Sequence, residues 1–266
     1  MSSFSEPFSQ EIAFKLTTAQ PERCGFFFDF DGTLAPIQDD PDTVEPVAGV
    51  LDALTELGRR VHEVAIVSAR PVDFLQARFG DLPELCLFGL YGLEVSRHGG
   101  TIETDPTALP YVDAMAELAE RARTELPART LVEYKRLSVS LHYRTAPELQ
   151  PQIEQWGREQ AAKLGLRAQP GRMVFELKPP GNRDKGSVLL EETVGLTCAW
   201  YFGDDVADLK AFAALDEREA SDPEFTAVKV AVGGPETGPE LIRAADLHLE
   251  APTDVPVLLA NLELAF

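Results

Sequence analysis

Residues 25–34 read Gly25-Phe26-Phe27-Phe28-Asp29-Phe30-Asp31-Gly32-Thr33-Leu34, an apolar run that ends in two carboxylates and a glycine. With Pro21 before it and Gly32 after it, such a run reads as a strand buried on both faces, the type found in parallel sheets. Side chains alternate along an extended chain, so Asp29 and Asp31 project to one side while Phe30 turns into the core. Gly32 lets the chain bend and the backbone approach a ligand. In open α/β sheets ligands bind outside the carboxyl ends of the strands, which is where this pair falls. Read alone, the pair could also serve as caps on a strand-end turn.

Outward from this strand, the runs 63–67, 85–88, 198–202, 228–232 and 247–249 read as further strands. Helical patterns lie between several of them. Val50, Leu51, Leu54 and Leu57 mark one stripe, closed by Gly58; Val188, Leu189 and Val194 mark another, with Asp184 as N-cap and Gly195 as stop. Strands alternating with helices predict an α/β fold, a doubly wound parallel sheet. The middle of the chain reads differently. Residues 109–125 and 149–163 look helical, and each is followed by two strand-like runs: 130–135 with 138–143, then 167–169 with 173–178 around Pro170-Gly171. This predicts a smaller α+β unit inserted into the parallel domain. The chain would enter it near Asp105-Pro106 and leave near Pro179-Pro180-Gly181. The expected division is residues 1–106 and 179–266 for the core and 107–178 for the inserted domain.

The 266 residues carry a formal net charge of -20, and 44% are hydrophobic. That apolar content supports a buried core, and the acidity disfavours nucleic acid or an anionic membrane as partner. A phosphorylated ligand would need local compensation by a metal or a lysine. Cys24, Cys86 and Cys198 are sparse and unpaired in pattern, which argues for buried reduced thiols. The N-terminal stretch 1–15 lacks a long apolar run, and no segment approaches the ~20 residues of a membrane span. A cytoplasmic monomer acting on a small molecule is the expectation.

The segment Asp29-Phe30-Asp31-Gly32-Thr33 after an apolar strand resembles the haloacid dehalogenase superfamily of phosphatases, and its other stations occur in order. They are Ser68 at the end of the second strand, Lys185 opening a helix in Asp184-Lys185-Gly186, and the acidic loop Gly203-Asp204-Asp205-Val206-Ala207-Asp208. The resemblance implies that Asp29 attacks phosphorus to form an aspartyl-phosphate, and that Asp31 protonates the leaving oxygen and then activates water. Asp29, with an ordinary pKa near ~3.9, is expected to be ionised, and neighbouring carboxylates to raise Asp31. Ser68 would hydrogen-bond a phosphoryl oxygen and Lys185 neutralise transferring charge. The implied cofactor is Mg²⁺, held by Asp29, the backbone carbonyl of Asp31 and Asp204, with Asp205 and Asp208 supporting. On residue type alone, Ser68 could instead cap the following helix, and Lys185 could be a solvated first-turn lysine.

Within that superfamily the chain is most similar to trehalose-6-phosphate phosphatases. The resemblance rests on Gly89-Leu90-Tyr91-Gly92-Leu93-Glu94, on Glu133 and Lys135 followed by His142-Tyr143-Arg144, on Glu176-Leu177-Lys178-Pro179 and on Tyr201-Phe202-Gly203-Asp204-Asp205. It implies an inserted cap and sugar contacts from Glu133, Lys135, Arg144 and Glu176, from Arg70 of the core, and from the Gly92 segment, with His142 structural. The alternation Ser138, Ser140, His142, Arg144 against Val139, Leu141, Tyr143 fits a sheet with one polar and one apolar face, which by itself is also an ordinary solvent face. The chain departs from the family at Ala69 (commonly Gly), Tyr91 (often His) and Leu209 (commonly acidic). No catalytic atom is lost, but the Tyr91 change bears on which sugar is taken. Another sugar or glycosyl-glycerate phosphate, phosphoryl transfer within a mutase, and a non-catalytic sugar-phosphate binder remain as alternatives.

Overall fold

The computed structural model describes residues 9–38, 40–80, 82–171, 173–234 and 237–266. Part of the N-terminal stretch read above therefore lies outside the described residues. Helix α1 (Gln10–Ala19), capped by Ser9, leads into β1 (Cys24–Phe28). The chain then alternates through α2 (Val50–Gly58), β2 (Glu63–Val67), α3 (Val72–Phe79) and β3 (Leu85–Gly89). Two short strands follow, β4 (Glu94–Arg97) and β5 (Glu103–Thr104). The middle unit comprises α4 (Val112–Glu125), β6 (Leu131–Tyr134), β7 (Val139–His142), α5 (Gln150–Leu164), β8 (Arg167–Gly171) and β9 (Val174–Lys178). Alternation resumes with α6 (Lys185–Glu192), β10 (Cys198–Gly203), α7 (Leu209–Ser221), β11 (Thr226–Val232), α8 (Pro239–Ala244), β12 (Leu247–Leu249) and α9 (Asp254–Glu263).

The larger sheet has the order β12-β11-β10-β1-β2-β3-β4-β5 and is parallel except at β4 and β5. From β1 the strands proceed outward to β2 and β3, whereas β10, β11 and β12 build on the other side. The order therefore reverses between β1 and β10, and a crevice opens at their carboxyl ends. Both faces are covered. Phe26, Phe28 and Phe30 pack with Trp200, Phe202 and residues of α2, α3 and α9 on one face. Phe27 and Tyr201 pack with α6, α7 and α8 on the other. That two-sided burial is why β1 reads as an unbroken apolar run. The Phe28 and Phe202 rings stack at 4.5 Å across the β1–β10 pair, adding to the area that the pair buries.

The second sheet, β6-β7-β9-β8, is antiparallel throughout. Val139, Leu141, Phe175 and Leu177 point to α4 and α5 and form that unit's own core. Glu133, Ser140, Glu176 and Gln169 are cross-strand neighbours and form one row on the opposite face.

The α/β expectation and the inserted unit agree with this architecture, with local differences. Pro170 and Gly171, expected as a turn, are the last residues of β8. β8 is an edge strand, so a residue without an N–H costs the ladder nothing there. Val194, expected on the α6 stripe, lies beyond the helix end and is 74% exposed. The stop assigned to Gly195 fits its φ of +85°, two residues after the C-cap Thr193. β4 and β5 carry no apolar run and are not apparent in the sequence.

Candidate active site

Asp29 follows β1 directly, and its backbone N–H donates to the Phe202 carbonyl of β10 (2.9 Å), which holds it at the switch point. Its carboxylate is buried, with Oδ1 at 2.7 Å from Lys185 Nζ. Lys185 is placed by the start of α6. Asp184 caps that helix with a reciprocal capping box to Ser187, which fixes where the first turn begins. The ammonium also donates to Asp208 Oδ1 (2.6 Å). The solvated first-turn lysine is thereby excluded: Lys185 is 4% exposed between two carboxylates.

The acidic loop leaves β10, the other strand of the switch. Asp208 is fully buried and its oxygens are taken up by protein donors. Oδ1 accepts from Lys185 and from the Tyr201 hydroxyl (2.7 Å), and Oδ2 from the backbone N–H groups of Asp204 (2.9 Å) and Asp205 (3.0 Å). Asp208 thus ties the loop into shape. Asp204 is the opposite case: it is 1% exposed, and neither carboxylate oxygen has a hydrogen-bond partner among the described residues. A buried carboxylate without partners is costly unless something else binds it. Gly32, at φ +86°, faces it directly, and a Cβ there would collide with the Asp204 carboxyl group. Asp29, Asp204 and Asp208 each offer an oxygen within 4.8 Å of the others. Because the oxygens of Asp208 are engaged, Asp29 and Asp204 are the open ligands for a hard cation.

The electrostatics point the same way. Burial pushes Asp29 well above the carboxylate range; Lys185 pulls it down, while Asp208 and Asp205 push it up. Asp204 is raised by burial and then by Asp29 and Asp208, and Asp205 is raised to about 6, by burial and then by Asp208. Burial opposes the charge on Lys185 too, but Asp208 and Asp29 outweigh it and hold the ammonium charged. Four carboxylates crowd one ammonium. Burial and these neighbouring carboxylates raise Asp29 in the chain taken by itself, and a divalent ion bound there would act in the opposite direction.

Asp31 has a partner that was not expected: Arg70 donates from Nε (2.8 Å) to Oδ2 and from Nη2 (2.7 Å) to Oδ1. The same guanidinium reaches Glu133 Oε1 of β6 at 3.5 Å and lies 4.3 Å over the Phe74 ring. Arg70, expected as a sugar contact, lines the cleft and also bridges the Asp31 loop to the second sheet. Ser68 is buried at the cleft floor, and its Oγ accepts from the Arg70 N–H (3.1 Å). The helix-capping alternative fails, because α3 is preceded by Pro71 with no side-chain cap. The N–H of Val72 is met by Glu94 Oε2 (3.0 Å) from β4 instead.

A cleft of about 640 Å³ joins these groups to the polar face of the second sheet. Glu133, Lys135, His142, Arg144 and Glu176 all line it. Glu133 is held by His142 Nε2 (2.7 Å) and Lys135 Nζ (3.4 Å). Burial opposes its charge, but Lys135, His142 and Arg70 together hold it down to about 2. Glu176 Oε1 accepts from Ser138 Oγ (3.1 Å) and Ser140 Oγ (3.4 Å). Of the expected substrate residues, Gly92 alone lies off the cleft lining. Its φ of +87° and the Val188 methyl 2.7 Å from its ideal Cβ position account for the glycine.

Tyr91, singled out in the sequence for its bearing on the sugar, is buried at φ +60° and lines the cleft, and its hydroxyl is pushed up by burial and by Glu176 beside it. Two other residues escaped the sequence reading. Lys178 Nζ sits 3.8 Å from the Tyr91 ring centroid with no hydrogen-bond partner among the described residues, and burial lowers it to about 8. Arg136, in the β6–β7 turn, donates to Glu94 Oε1 and Thr104 Oγ1 (both 3.0 Å), a second tie between the two sheets. The quoted Glu176-Leu177-Lys178 segment was the one available signal for Lys178. Nothing local signals Arg136.

The parallel sheet, the carboxylates at its switch point and the inserted antiparallel unit make up the haloacid dehalogenase-like fold. A solved haloacid dehalogenase-like hydrolase from Bacteroides thetaiotaomicron has this fold, with a TM-score of 0.61 at 17% identity, covering 91% of this chain and 99% of that one. The family model described as trehalose-phosphatase matches residues 27–239, and the chain belongs to that family. A crystal structure titled as a trehalose-6-phosphate phosphatase related protein aligns with a TM-score of 0.69 at 26% identity, covering 90% of this chain and 97% of that one. A trehalose-phosphate phosphatase of Mycolicibacterium paratuberculosis is 37% identical over 203 residues, 71% of this chain and 50% of that protein. The chain spans about half the length of the curated relatives it matches.

Proposed function

We propose that this protein is a Mg²⁺-dependent phosphomonoesterase that hydrolyses trehalose 6-phosphate to trehalose and phosphate. The observation that carries the reading is the pairing of Asp29, fixed by Lys185 at 2.7 Å, with an Asp204 carboxylate that has no hydrogen-bond partner among the described residues. Asp29, Asp204 and the Asp31 carbonyl would hold the ion, which when bound offsets the repulsion between Asp29 and a phosphate dianion.

The chain's own residues then divide the work. An Asp29 oxygen attacks phosphorus; the bond to the sugar oxygen breaks, and that oxygen takes a proton from Asp31. Water, deprotonated by Asp31, next attacks the aspartyl-phosphate and restores Asp29. Lys185 orients Asp29, and Ser68 offers its hydroxyl to a phosphoryl oxygen. Since both Asp31 oxygens face Arg70, proton donation requires at least one of those bonds to open. The hydroxyl-rich sugar lies against Glu133, Lys135, Arg144 and Glu176. Residues 107–178 act as a cap that excludes bulk water when it closes, and the Arg70–Glu133 and Arg136–Glu94 contacts are those expected of a closed arrangement. Three buried free cysteines fit a reducing, cytoplasmic setting, and the working unit is a monomer.

The test is phosphate release by purified protein over a panel of sugar phosphates, with Mg²⁺ and with chelator. Trehalose 6-phosphate is expected to be turned over only with the ion present, and Asp29→Asn to abolish release. Turnover of a different sugar phosphate alone removes the substrate assignment; no release from any removes the enzymatic reading.

A further inference from the structure

Among the described residues that line the cleft, two carry buried side-chain oxygens without a hydrogen-bond partner: Asp204 and Gln169. Asp204 is accounted for by the cation. Gln169 is not, and an unpaired buried amide oxygen calls for a partner that arrives from outside the chain. Its position says what kind. Gln169 is the β8 member of the cross-strand row Glu133–Ser140–Glu176–Gln169, whose other members face the cleft. Three strand spacings, roughly 14 Å, separate it from Glu133, which is the end of the row tied to Arg70 and Asp31. A single hexose ring beside Glu133 does not reach that far. The neighbouring unpartnered amine, Lys178, faces the Tyr91 ring and does not line the cleft. Gln169 is therefore the one member of this row whose buried oxygen has no partner among the described residues.

We propose that Gln169 is a specificity-determining residue that hydrogen-bonds hydroxyls of the sugar unit remote from the phosphate. An amide suits the task because it accepts and donates at once, as vicinal hydroxyls require. The inference deepens the proposed function and rests on it.

Gln169→Leu keeps the size and removes both hydrogen-bonding functions. With trehalose 6-phosphate its KM is expected to rise about three- to ten-fold, the loss of one or two neutral hydrogen bonds. Turnover of glucose 6-phosphate and of p-nitrophenyl phosphate, which lack the remote ring, should stay within about two-fold of the unsubstituted protein, and the thermal midpoint should not fall. Gln169→Thr, a β-favouring residue too short to reach the ligand, must behave alike and serves if the leucine variant does not fold. An unchanged KM for trehalose 6-phosphate overturns the inference alone. An equal loss with all three substrates also overturns it, because that is the mark of a purely structural role. If the unsubstituted protein does not turn over trehalose 6-phosphate, the proposed function falls and this subsite with it.

Discussion

Asp204 and Gly32 form a pair in which one residue's chemistry dictates the other's absence of a side chain. A Cβ at Gly32 would displace the Asp204 carboxylate, and φ +86° disfavours any L residue there. Gly32→Ala is expected to lose nearly all phosphatase activity while the fold survives, with a cost of about 1–3 kcal/mol from backbone strain. Urea unfolding beside a phosphate-release assay checks both halves; an active alanine variant would show that the carboxylate need not sit where it does. The glycine was legible from sequence because a bend after a strand demands it. The hydrogen bonds that confine Asp208 to holding the loop were not, since they depend on Tyr201 and Lys185 arriving from other elements.

At the scale of elements, α6 matters through its first turn. The capping box of Asp184 and Ser187 sets the start of the helix and so aims Lys185 at Asp29. Asp184→Ala is expected to cost about 1 kcal/mol of stability and, through misplacement of Lys185, to lower kcat more than it changes KM. Circular dichroism melts and steady-state kinetics measure the two effects; a stability loss with unaltered kcat would separate the cap from catalysis. This element was readable because its signals are local: an Asp N-cap, an apolar stripe, a glycine stop. β4 and β5 were not, because Glu94-Val95-Ser96-Arg97 has no apolar run and its pairing with β3 and β5 is fixed by register rather than by local signals. The same limit hid the Arg70–Asp31 bond and the Gln169 row. Residue types were visible, but sheet register joins positions 39 apart in one case and brings β8 beside β9 in the other.

Across the whole molecule the sheet has a catalytic end and a far end, and the far end carries its own titration. Glu63 opens β2 with its side chain 11% exposed. Burial, then Glu192, raises it to about 7, against the pull of Arg97. An acid whose folded value exceeds its unfolded one holds its proton more tightly when folded. Its stabilising contribution is full below about pH 4.5 and is lost as the pH rises towards about 7. Glu63→Gln is expected to be the more stable protein above pH 7, by the order of 1–3 kcal/mol, with the gap closing near pH 4.5. Urea unfolding of both proteins across that range measures it; a gap that does not vary with pH would contradict the assignment. At the catalytic end, the account stands on Asp29 as the group that takes the phosphoryl unit. The most direct test is to mix the protein with trehalose 6-phosphate and Mg²⁺, quench in acid within the first turnovers, and map the phosphorylated peptide by mass spectrometry. The account predicts one acyl-phosphate on the peptide carrying Asp29, absent with chelator and in Asp29→Asn; phosphate released with no label there, or with the label on another residue, would contradict it.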